Sequence, residues 1–226
     1  NELRPREHQK KAIEKAVEHF KENDKGQMIH ACGTGKTLTA LWIKEHLKPK
    51  NTLVFVPSLA LLKQTLEEWF KNRKDKFSLQ CVCSDVSVVK SETDSPIIDI
   101  TELGTPVTTT KEEIIEFLRN TSSHKVLFST YQSAEVLLQS TKELNIEFDF
   151  GIFDEAHRTA TKKDRLFGLS LDVPIKKKLF MTATPKIFLP HLRKRALEED
   201  VLLCSMDDVS IYGEVFDEIK FGDAIN

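Results

Sequence analysis

The sequence predicts a doubly wound α/β fold, a mostly parallel sheet with helices on both faces, and three observations carry that prediction. Apolar runs of strand length alternate with stretches of helix length. A glycine-bearing loop, His30-Ala-Cys-Gly-Thr-Gly-Lys-Thr37, joins a strand candidate to a helix candidate. A second apolar run, Phe148-Asp-Phe-Gly-Ile-Phe153, ends directly in two carboxylates, Asp154 and Glu155. In open α/β sheets ligands sit outside the carboxyl ends of strands, which is where both features fall.

The elements follow in order. A helix is expected at 7–22, then a strand at 27–31 that feeds the glycine loop, then a helix at 37–47. A strand at 52–56 ends at Pro57, and Ser58 is a natural cap for a helix at 59–71. The strand candidate at 79–83 holds Cys81 and Cys83, expected on opposite faces of the sheet. Residues 84–110 are rich in Ser, Thr and Asp and break the alternation, so they are expected to be a loop or small insertion. Helices at 111–120 and 132–140 flank a strand at 126–129. The aromatic strand at 149–153 follows. Lys176, Lys177 and Lys178 are a solvated approach to a strand at 178–182, and a helix at 190–199 and a strand at 200–204 end the pattern.

Composition narrows the class. The 226 residues, 40% hydrophobic and 30% charged, suffice for one substantial core. No apolar run approaches the length of a membrane span, and no signal segment opens the chain, so a cytoplasmic protein is expected. The four cysteines have no zinc or disulfide spacing. Cys32, near a helix N-terminus, is the one whose alkylation is expected to block the loop. A net charge of −2 excludes a protein that grips nucleic acid by bulk charge.

The loop's chemistry is that of a phosphate cradle. Gly33 and Gly35 let the backbone turn and approach a ligand closely, and the N–H groups of Cys32, Gly33, Thr34 and Gly35 can then face phosphate oxygens. The following helix adds its positive N-terminus. Lys36 would reach the β- and γ-phosphates, Thr37 would ligate magnesium, and Leu38 completes the site. The strict pattern begins with Gly, and here that position is His30. Asp154 would hold the same magnesium, directly or through water, and Glu155 would orient and deprotonate the attacking water.

Further segments fall into a familiar order. Asp154-Glu155-Ala156-His157 resembles the DEAH form of motif II in superfamily 2 helicases and translocases. Leu3-Arg-Pro-Arg-Glu-His-Gln9 is similar to the glutamine motif of that superfamily, which implies that Gln9 reads the adenine edge with Arg6 beside it. Residues 54–65 resemble motif Ia, residues 128–133 the strand-end motif that touches the nucleic-acid backbone, and Met181-Thr-Ala-Thr-Pro185 motif III. The resemblance implies an N-terminal RecA-like lobe that uses ATP and Mg2+, with His157 near the nucleotide and Thr182 and Thr184 coupling hydrolysis to strand movement. It also implies backbone contacts from Pro57, Ser58, Thr110, Thr130, Tyr131 and Gln132, with Lys63 and Arg158 in support.

The segments 107–110, 128–133, 154–158 and 180–185 are most similar to the motor subunits of restriction enzymes and related bacterial or phage helicases, so DNA is expected over RNA. A DEAH-type RNA remodeller and a nucleotide-gated interaction module remain alternatives. The resemblance divides the chain into a lobe at 1–212 and a connector at 213–226, leading to a second RecA-like lobe that supplies an arginine finger. The lobe by itself is therefore expected to hydrolyse nucleotide poorly.

Overall fold

The computed structural model describes residues 3–83, 107–120, 124–161, 166–199, 201 and 203–220. In chain order its strands are β1 (Lys25–His30), β2 (Asn51–Val56), β3 (Ser78–Val82), β4 (Val107–Thr108), β5 (Lys125–Thr130), β6 (Phe148–Phe153), β7 (Ile175–Thr182) and β8 (Glu214–Ile219). The helices are α1 (Glu7–Glu22), α2 (Lys36–Leu47), α3 (Leu59–Asn72), α4 (Lys111–Arg119), α5 (Ala134–Leu144), α6 (Leu166–Leu169), α7 (Pro190–Glu198) and α8 (Val209–Tyr212). The strands form one 8-stranded sheet in the order β4-β3-β5-β2-β6-β7-β1-β8. Every neighbouring pair is parallel.

Buried strands explain the near-continuous apolar runs, because a parallel sheet is covered on both faces. Alternation sends successive side chains of β2 to opposite cores. Val54 and Val56 pack with Phe20 of α1, Leu41 of α2 and Leu62 of α3. Leu53 and Phe55 pack with Ile114 of α4 and Leu137 of α5. Truncating one such large side chain to Ala costs about 3–5 kcal/mol. Ser58 caps α3 as the sequence suggests, accepting the Leu61 N–H at 3.3 Å.

Three expectations need correction. Cys81 and Cys83 lie in the same core cluster, because residues two apart in a strand share a face. Burial, with Cys81 beside it, pushes the Cys83 thiol up to about 12. No strand runs through the described residues of 200–204. Cys204 donates its N–H to Thr161 and Met206 donates to Lys186, so loop carbonyls take the groups a ladder would need. β8, within the segment read as a connector, pairs with β1 at the sheet edge. Buried Gln27 of β1 fixes this return, donating to the carbonyls of Met206 and Gly213, both at 2.9 Å. Of the loop expected at 84–110, residues 84–106 lie outside the described residues, while Val107 and Thr108 pair with β3.

The lysines at 176–178 stand at the start of β7, away from the strand ends that carry the motifs. Lys176 reaches Asp149 at 2.9 Å, Lys177 the Phe20 carbonyl, and Lys178 the Leu171 carbonyl at 2.7 Å.

Candidate nucleotide and nucleic-acid site

The glycine loop leaves β1 and enters α2 through two left-handed residues, Gly33 at φ 82° and Gly35 at φ 80°. Such φ values disfavour any side chain. A Cβ on Gly33 would meet open space, whereas one on Gly35 would sit 2.6 Å from Gln9 Nε2. Cys32 is exposed at the loop's rim. Thr34 is buried and its hydroxyl donates to the Ala31 carbonyl at 2.8 Å, tightening the turn. The Lys36 ammonium donates to the His30 carbonyl at 3.1 Å, so it curls over the loop. Leu38 packs against the core.

Gln9 braces this loop from α1. It is only 4% exposed, and its amide nitrogen donates to the carbonyls of Thr34 at 3.4 Å and Gly35 at 3.2 Å. Its oxygen accepts the Arg6 N–H at 2.9 Å. The amide is thus engaged with the loop backbone, and the Arg6 side chain is exposed beside it.

Two strands over, β6 delivers Asp154. Its N–H donates to Phe55 of β2 at 2.9 Å, and its carboxylate accepts the Glu155 N–H at 3.0 Å. Thr37 and Asp154 line one narrow cleft with Thr65, Trp69 and Met181, so the two residues expected to hold magnesium are neighbours. Burial, with the Glu155 charge next, raises the Asp154 carboxyl to about 6. Glu155 is held below the usual carboxylate range, first by its bond to His157. The Lys36 charge acts on both carboxyls. Glu155 adopts φ 49°, ψ 47°, a left-handed conformation that costs a non-glycine residue about 1 kcal/mol. The turn holds it there, with Arg158 donating its N–H to the Glu155 carbonyl at 3.0 Å.

His157 joins this turn to the end of β7. Its Nδ1 lies 3.3 Å from Glu155 Oε2 and 2.9 Å from Thr182 Oγ1. Thr182 Oγ1 in turn accepts the Thr184 N–H at 3.1 Å. The residues expected in motifs II and III are therefore in direct contact.

The nucleic-acid candidates follow β2, β4 and β5, on the other half of the same sheet end. Ser58, Thr110 and Gln132 reach the surface at least in part, whereas Pro57 and Thr130 are buried. Tyr131 is fully buried, stacked on Phe55 with its hydroxyl on the Asp154 carbonyl at 2.7 Å, so it does not offer its ring or hydroxyl to a strand. Gln132 Oε1 is buried without a hydrogen-bond partner.

One group escaped sequence reasoning. His30 is fully buried, its Nε2 2.6 Å from Asp217 Oδ2 on β8, and Lys15 of α1 donates to Asp217 Oδ1 at 2.6 Å. Burial alone would raise the Asp217 carboxyl, but these two partners hold it below its ordinary range. The departure from Gly at position 30 was the available signal. Asp217 carried none, since it sits in an acidic, exposed-looking tail.

A family profile described as "Type III restriction enzyme, res subunit" matches residues 2–187. Among solved structures, the ATP-dependent Type ISP restriction-modification enzyme LlaBIII bound to DNA is 38% identical with a TM-score of 0.79, over 100% of this chain and 15% of that one. A nuclease-deletion mutant of the Type ISP enzyme LlaGI in complex with a DNA substrate mimic is 37% identical with a TM-score of 0.75, over 99% of this chain and 20% of that one. Probable helicase A859L of African swine fever virus is 27% identical over 190 residues, 83% of this chain and 20% of the relative. The chain thus spans about a fifth or less of the length of each of these proteins. Among the described residues no helix is long and apolar enough to cross a membrane.

Proposed function

The chain belongs to the family of the Type III restriction enzyme res subunit, and on that footing we propose that it is the first RecA-like lobe of an ATP-driven motor that moves on DNA. The observation that carries the reading is the meeting of Lys36, Asp154 and Glu155 at one end of the sheet, with the lysine charge felt by both carboxylates.

Each residue has a role under this proposal. The loop amides and Lys36 bind the β- and γ-phosphates, exchanging the His30 carbonyl for phosphate oxygens. Thr37 and Asp154 would hold magnesium, which would shield the phosphate charge when bound. Glu155 takes the proton of the attacking water, and His157 orients its carboxylate. The bond from His157 to Thr182 offers hydrolysis a path into the 182–184 segment. Gln9 acts on the nucleotide by fixing the loop that surrounds it.

DNA is favoured as the track because the two solved relatives at 38% and 37% identity are described in complex with DNA or a DNA mimic. Ser58, Thr110 and Gln132 are the contacts we propose, neutral donors and acceptors suited to a chain of net charge −2. A second RecA-like lobe of the same cytoplasmic protein would close the ATP site and supply an arginine. Without it turnover is expected to be slower by about three to five orders of magnitude.

ATP hydrolysis by the two-lobe protein, measured without polymer and with single-stranded DNA, duplex DNA and RNA, tests the reading. Stimulation by DNA supports it. Stimulation by RNA alone would make it an RNA remodeller. Basal turnover indifferent to every polymer would leave a nucleotide-gated module and refute the motor.

A further inference from the structure

The sheet end divides into two halves. The proposed nucleotide residues follow β1, β7 and β6, and the proposed strand contacts follow β2, β5 and β4. Trp69 of α3 donates its indole N–H to the Thr37 carbonyl at 3.1 Å, and a second side chain crosses between the halves nearer the carboxylates. Tyr131 follows β5, between Thr130 and Gln132, and its hydroxyl donates to the Asp154 carbonyl at 2.7 Å. The Asp154 N–H is held by Phe55 of β2, and the Phe55 ring lies 5.3 Å from that of Tyr131, at 10° between planes. Both main-chain groups of Asp154 are therefore anchored to the half that would meet DNA.

The row continues beneath the carboxylates. Phe55 meets Phe153 at 5.2 Å, Phe153 meets Phe180 at 4.7 Å, and Phe180 meets Tyr212 at 4.9 Å. The Tyr212 hydroxyl lies 3.0 Å from Thr159 Oγ1. Two buried tyrosines thus grip the 154–159 turn at its two ends. A close-packed row of this kind transmits a shift at one end rather than absorbing it. Burial, then the Asp154 charge, raises the Tyr131 hydroxyl well above its ordinary range, so it stays a donor.

We propose that Tyr131 is a positioning residue that couples strand engagement at 130–132 to the placement of Asp154 and Glu155, and so sets the stimulation of hydrolysis by DNA. This rests on the motor reading above. A strand drawn onto Gln132 shifts the short turn it shares with Tyr131, and the hydroxyl carries that shift to Asp154. The coupling is specific to the hydroxyl, since the ring alone preserves the packing.

Tyr131→Phe in the two-lobe protein tests it, with nucleotide affinity, DNA affinity, basal turnover, DNA-stimulated turnover and melting temperature all measured. We expect the ratio of stimulated to basal turnover to fall about tenfold, the scale of one hydrogen bond, with both affinities and basal turnover within about twofold. Site-specific 3-fluorotyrosine at position 131, which retains the hydroxyl, should keep the wild-type ratio. An unchanged ratio in Tyr131→Phe would overturn the coupling while leaving the motor intact. A fall in basal turnover equal to the fall in stimulated turnover would overturn it too, as the mark of a structural role. A wild-type protein that DNA fails to stimulate would remove the motor reading and the coupling together.

Discussion

The Nδ1 of His157 lies 2.9 Å from the Oγ1 of Thr182, a contact that ties the carboxylate turn after β6 to the end of β7. The same nitrogen lies 3.3 Å from Glu155, and the same hydroxyl accepts the Thr184 N–H. Thr182→Val keeps the shape and removes the hydroxyl. The stimulated kcat is expected to fall about tenfold with KM for nucleotide nearly constant, because the loss touches orientation rather than binding. Steady-state kinetics with and without DNA checks this; an equal rise in KM would point to a binding role.

Lys36→Ala removes the one ammonium that the loop folds over itself. Hydrogen bonds to charged groups contribute about 1.5–3 kcal/mol each, so nucleotide affinity should fall about tenfold or more. Calorimetric titration checks this, with circular dichroism to show that the sheet persists.

His30→Gly would restore the strict loop pattern, yet it is expected to harm this chain. It leaves Asp217 at 6% exposure with only Lys15, and it opens a cavity in place of the imidazole. Leaving a buried acceptor without one of its partners costs about 1–3 kcal/mol, so the melting temperature should fall by several degrees. Denaturant unfolding of the wild type and His30→Gly measures it, and an unchanged midpoint would show the pair to be idle.

Much of this arrangement was legible in the sequence for physical reasons. Gly33, Gly35 and the acids ending the 148–153 run mark backbone and charge requirements that few other patterns meet. The described residues of 200–204 form no strand; an apolar run of that length is ambiguous, and the Cys204 N–H finds its partner in a loop far away in sequence. β8 was hidden for the opposite reason, since Asp217 and Glu218 make Glu214–Ile219 look solvated although Asp217 is buried on His30. Tyr131, expected to touch the nucleic-acid backbone, is buried instead, because position in a motif does not report which way a ring points.

Asp154 supplies a pH test. Its carboxyl, raised from 3.8 to about 6, favours the folded state while protonated and opposes it once ionised. That penalty is absent below about pH 4, grows between the two values and is complete above about pH 6. In EDTA, Asp154→Asn should therefore be more stable than the wild type by about 3 kcal/mol at pH 7.5, with the gain vanishing near pH 4. Urea unfolding across that range reads it directly, and a gain independent of pH would remove the electrostatic explanation.

The central claim is that Glu155, held in a left-handed turn beside His157 and within the field of Lys36, is the base that drives ATP hydrolysis. The most direct measurement is DNA-stimulated turnover of the two-lobe protein beside Glu155→Gln, with nucleotide affinity measured in both. Retained affinity with turnover lower by about two to four orders of magnitude is the predicted result. Turnover in Glu155→Gln equal to that of the wild type would contradict the account.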